Sequence, residues 1–108
     1  MDTWAATLDD QPGSLASKLS ALPSAGVKLE FIIARRTPEK LGKGVVFVTH
    51  IKDATGSRAA RCAGFAKTKS LHTVRIEGPA KPGQVARVTQ ALAETGLNLR
   101  GLSAAAIG

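Results

Sequence analysis

Apolar and polar positions alternate from Thr3 to Leu8, placing Trp4, Ala6 and Leu8 on one face, and the pattern predicts a short strand. The period then lengthens. Leu15, Leu19 and Leu22 fall at helical spacing between Pro12 and Ala25, so a helix with one apolar stripe is expected, closed by Gly26. Pro23 sits near its end, where a ring without an N–H tightens the last turn. Period two returns from Val27 to Arg36, with Val27, Leu29, Phe31 and Ile33 on one face, and again from Gly44 to Ile51. Thr37 to Lys43, with Pro38 and Gly42, joins these two runs as a hairpin loop. A helix of small residues is expected from a cap at Asp53 or Thr55 to Gly64, carrying Ala59, Cys62 and Ala63. Phe65 to Lys69 reads as a closing strand.

That order is βαββαβ over residues 1–70. It predicts an α+β, ferredoxin-like sandwich: an antiparallel sheet with both helices on one face. The opposite face then needs a cover, which a second copy or a second chain would supply.

The sequence carries such a copy. Asp10-Gln11-Pro12-Gly13 returns as Ala80-Lys81-Pro82-Gly83, an offset of 82 − 12 = 70. Ala21-Leu22 returns as Ala91-Leu92, Gly26 as Gly96 and Leu29 as Leu99 at the same offset. A period near seventy is a small domain rather than a solenoid unit. The second copy is expected to give a strand over Leu71 to Glu77, a helix over Pro82 to Thr95 and a strand over Leu97 to Ile107. Residues 71–108 therefore read as the first half, βαβ, of a second domain, and a truncated copy is the expected reading.

The paired turns carry a resemblance. Asp10-Gln11-Pro12-Gly13 resembles the Asp-x-Pro-Gly turn of the ACT domain, and Ala25-Gly26-Val27-Lys28-Leu29 is similar to that family's junction between first helix and second strand. Lys81-Pro82-Gly83 and Thr95-Gly96-Leu97-Asn98-Leu99 repeat both in the second copy. The resemblance covers copy one and the first half of copy two, and is to stand-alone tandem ACT proteins. It implies a regulatory module that binds an amino acid where one module's turn meets a neighbour's second strand. Carried over by position, it implicates Asp10, Gln11, Pro12, Gly13 and Ser14 with Val27 and Lys28, and Gly83 and Gln84 with Leu97 and Asn98. Open amides after the turn would suit a carboxylate. Asp10 would face an ammonium, or else cap the helix. Asn98 would both donate to and accept from a zwitterion. Ala80 replaces the acid in copy two and Lys28 stands where copy two has Asn98, so the two sites are not equivalent.

Composition narrows the rest. Net charge is +7 with pI ≈ 10.2, but the cations are scattered, so a solvated basic surface is expected ahead of nucleic-acid binding. No apolar run approaches the roughly 20 residues of a membrane span. Met1-Asp2-Thr3-Trp4 shows no secretory pattern. With Cys62 as the single cysteine, a reducing cytoplasm is the default. Cys62 itself is expected to be a buried structural thiol. His50 and His72 have no partners at metal-ligand spacing, Asp9 and Asp10 should point apart, and Gly42-Lys43-Gly44 lacks the rest of a phosphate loop. No catalytic constellation assembles, and no metal or cofactor is implied. The expectation is a non-enzymatic, amino-acid-sensing module, a dimer or larger. The alternative is a ligand-free oligomerisation domain acting on a partner protein.

Overall fold

The computed structural model describes residues 2–106. The chain divides into two compact units, Met1–Val74 and Arg75–Gly108.

The first unit holds β1 (Thr3–Asp9), α1 (Ser14–Leu19), β2 (Phe31–Arg36), β3 (Lys43–Thr49), α2 (Ala54–Cys62) and β4 (Ala66–Thr68). The strands form one sheet in the order β2-β3-β1-β4, with every pair antiparallel. The α+β expectation holds, and this strand order is consistent with a ferredoxin-like arrangement. Trp4, Ala6 and Leu8 lie opposite Val48, Val46 and Gly44, so their common face is set by the register. Trp4, Ala6, Leu8, Val46 and Val48 form the buried core with Leu22, Ile51, Ala60 and Phe65. Leu15 and Leu19 of α1 pack on the same cluster, so both helices cover the Trp4 face.

The first helix is shorter than its pattern. It stops at Leu19, and the chain re-forms a 3₁₀ turn over Pro23–Ala25. Pro23 has no N–H to offer Leu19, and its ring would collide with that carbonyl. Leu22 is buried between the two pieces, so the stripe survives the break.

The second strand also starts late. Glu30 N–H donates to Thr49 O at 2.9 Å, and pairing begins only at Phe31 opposite Thr49. Val27 and Leu29 have no strand beside them and pack on the core instead. Ile33 lies opposite Phe47, whose other neighbour is Ala5, so Phe31 and Ile33 occupy the face away from Trp4. The single face expected for Val27, Leu29, Phe31 and Ile33 is therefore split at Glu30.

The second helix forms as expected. Asp53 accepts from the Gly56 N–H at 2.6 Å and caps it. Gly56 costs helix propensity, but the packing requires it: a Cβ there would lie 2.9 Å from Val27 Cγ2 and 3.1 Å from Asp53 Oδ1. Cys62 corrects the buried-thiol expectation. It is exposed, because Ala60 takes the core position of that turn.

The second unit contains α3 (Gln84–Glu94), flanked among the described residues by chain without regular structure. The strand expected over Leu71 to Glu77 does not form, nor does one over Leu97 to Ala106; Ile107 lies outside the described residues. A strand is defined by a ladder, and among the described residues no strand pairs with these segments. Val85, Leu97, Leu99 and Leu102 remain exposed. No helix among the described residues is long and apolar enough to cross a membrane.

The candidate ligand site at the Pro-Gly turn

Gly13 and Gly83 have nearly the same backbone. Their φ values are 86° and 79°, in the left-handed region that glycine enters freely. Each precedes a helix, and each carbonyl accepts the first helical bond at 2.9 Å, from Ser17 and Arg87. Gly26 and Gly96 match likewise, at φ 77° and 85°. The turn chemistry repeated in the sequence is thus repeated in backbone geometry. A Cβ on Gly13 would meet nothing within 4 Å, so torsion rather than crowding requires glycine there.

Beside the first turn lies an open hollow of about 680 Å³. Gln11, Pro12, Gly13 and Ser14 form one wall, and Thr7, Asp9, Ser17, Lys18 and Lys43 add further polar groups. Asp9 and Lys43 are register partners across β1 and β3, and their side chains meet at 2.5 Å. The hydrogen bond and then the charge of Lys43 hold the Asp9 carboxyl below its ordinary value; desolvation opposes them, and the charge of Lys18 adds the least of the four effects. The hollow therefore carries two ammonium groups around one carboxylate.

Asp10 does something other than cap the helix. The cap position is Gly13, which makes no side-chain cap bond. The Asp10 carboxylate instead meets Arg36 Nε at 2.8 Å, while its N–H donates to Gly42 O at 2.9 Å. One further residue of β1-like pairing, plus an ion pair to β2, pins the turn to the hairpin. Asp10 lines a smaller recess of about 270 Å³ with Gln11, Ser14, Arg35 and Arg36. Asp9 and Asp10 engage different partners, Lys43 and Arg36, while both border the smaller recess.

Of the residues singled out from sequence, the structure brings Asp10, Gln11, Pro12, Gly13 and Ser14 together around these two recesses. Val27 lies on the core and Lys28 is exposed, and neither lines either recess. Gly83 and Gln84 open α3, and Leu97 and Asn98 follow it in exposed chain, all in the second unit. Sequence reasoning missed Asp9, Ser17, Lys18 and Lys43. Ser17 and Lys18 are one helical turn on from Gly13 and Ser14, so i to i+4 spacing could have found them. Lys43 needed the strand register. Among the described residues, no group of three His, Cys, Asp or Glu could hold a metal ion.

No protein-family model matches this sequence, and comparison with curated proteins gives no match. Among solved structures the chain is similar to GqqA, described as a novel type of quorum-quenching acylase. Identity is 20%, over 57% of this chain and 34% of that one, with a TM-score of 0.49. It is also similar to a prephenate dehydratase from Arthrobacter aurescens, solved in complex with L-Phe. Identity there is 22%, over 88% of this chain and 35% of that one, with a TM-score of 0.42. The chain spans about a third of the length of each.

Proposed function

We propose that this chain is a non-enzymatic, ACT-type regulatory module that binds a free amino acid in the hollow beside Gly13. The observation that carries this reading is the mixed lining of that hollow. A zwitterion needs both signs of charge within a few ångströms, and Lys18, Lys43 and Asp9 supply them beside the hydroxyls of Ser14 and Ser17. The ligand's carboxylate would be met by the two lysines and its ammonium by Asp9. The hollow is open on one side, which suits closure by a neighbouring module of a dimer or larger assembly. Binding would then shift the population of assembled states by its differential affinity. A cytoplasmic setting belongs to the same proposal.

A thermal-shift screen against the twenty amino acids tests it. A ligand present at 100 times its Kd adds about 2.7 kcal/mol to the folded state. For a unit of this size that is a rise in Tm of the order of 10 °C. The proposal expects at least one amino acid to raise Tm and Lys18→Gln to remove the rise. If none does so at millimolar concentration, the sensing role is lost.

A further inference from the structure

The cations that the sequence scatters are sorted by the fold. Two of those around the turn are paired in place, Lys43 with Asp9 and Arg36 with Asp10. A different situation holds on the side of the first unit where α2 meets β4. From Ala54 to Val74 the chain contains no Asp or Glu, but it contains Arg58, Arg61, Lys67 and Lys69. Arg58 and Arg61 are three residues apart on α2, so they share a helical face. Lys67 lies directly opposite Trp4 in the β1–β4 register. The Arg61 guanidinium lies 5.4 Å, and the Lys67 ammonium 5.7 Å, from the Trp4 ring centroid. One buried indole thus gathers cations from two elements onto one exposed surface, holding them by cation–π attraction. Asp2 reaches this group, 3.3 Å from Lys67.

We propose that this α2–β4 face, led by Arg58, Arg61 and Lys67, is a docking surface for the phosphate backbone of a nucleic acid, bound without regard to sequence. The composition of the face decides the partner. The large exposed apolar side chains are on other elements, at Ile32, Leu41 and positions beyond Thr73, and α2 offers only small residues between its arginines. A protein partner needs an apolar or aromatic anchor to bury, and this face has none. Phosphates need only cations, because release of condensed counterions drives the binding. Base-specific readout of single strands needs exposed aromatic rings, and Trp4 is fully buried, so sequence selectivity is not expected. This surface is distinct from the hollow beside Gly13, and either proposal can fail without the other.

The chain has one tryptophan, and it sits beneath the proposed contact. Withdrawal of Arg61 and Lys67 toward phosphate would alter its emission, so Trp4 fluorescence reads occupancy directly. The experiment is a titration of the full chain at about 50 mM salt with a mixed-sequence DNA duplex, then with a second duplex of unrelated sequence, then with polyglutamate. The proposal expects saturable emission changes with both duplexes at similar affinity. It expects log K to fall against log salt with a slope of about −2.7 for three phosphate contacts. Arg58→Gln lies away from the ring, so it should leave the emission of the free protein unchanged while removing about one unit of that slope. Arg61→Gln should do the same to the slope and also shift the starting emission. Lys40→Gln, in the β2–β3 loop, should change neither. No emission change with either duplex, a salt-independent affinity, equal binding of polyglutamate, or an Arg58→Gln slope equal to wild type would each overturn it.

Discussion

Asp9 and Lys43 face each other across the β1–β3 register and join at 2.5 Å, so a single cross-strand pair both ends the sheet and floors the candidate site. The pairing lowers the Asp9 pKa, chiefly through the Lys43 hydrogen bond and then its charge. A carboxylate whose pKa is lower folded than unfolded stabilises the folded state above its unfolded pKa, about 3.9 for Asp. That contribution is lost as pH falls from there through the lowered value. Asp9→Asn should therefore lower Tm slightly at neutral pH, converge with wild type once pH falls below the lowered Asp9 value, and so flatten the acid side of a Tm-against-pH curve; the difference is small because the pair is exposed. Equal acid sensitivity in wild type and variant would show that Lys43 does not hold Asp9 in solution.

Gly56 tests the packing of α2. In an exposed helix interior, Gly→Ala gains roughly 0.5–1 kcal/mol. Here the new methyl would stand 2.9 Å from Val27 Cγ2, so Gly56→Ala should destabilise by about 1–3 kcal/mol, the usual cost of overpacking. Chemical denaturation measures this, and the double variant Gly56→Ala with Val27→Ala should recover part of the loss. A more stable single variant would mean that α2 does not lie against Val27.

Two further positions separate core from cap. Leu22→Ala empties a nearly fully buried core site just after the shortened α1, and should cost about 2–5 kcal/mol in denaturant unfolding. Asp53→Ala removes the acceptor from the Gly56 N–H and should cost about 1 kcal/mol, while Asp53→Asn should cost less. An Asp10→Ala loss as large as that of Asp53 would be unexpected, since Asp10 makes a surface ion pair rather than a cap.

What the sequence made legible follows from where the signals act. Strict alternation at Trp4, Ala6 and Leu8 is a local signal, and it placed those side chains on the core because β3 lies beside them. The same alternation from Val27 to Ile33 misled, since whether Val27 joins a strand depends on where β3 ends, which Val27 does not encode. Leu71 to Glu77 shows the limiting case: strand-like residues without a neighbour make no ladder. The turn residues Gln11 to Ser14 were visible because proline and glycine fix torsions locally. Lys43 was invisible as a site residue because a cross-strand register brings it to Asp9. Cys62 was misread because Ala60 and Cys62 are both apolar, and helix phase alone chose which one is buried.

The central claim is a ligand held beside Gly13, and amide chemical-shift mapping of the ¹⁵N-labelled chain against the best amino-acid hit tests it most directly. Binding in the hollow requires the largest shifts at Asp9, Gly13, Ser14, Ser17, Lys18 and Lys43, saturating together with one Kd. Shifts confined to other residues, or no saturable shifts at all, would contradict it.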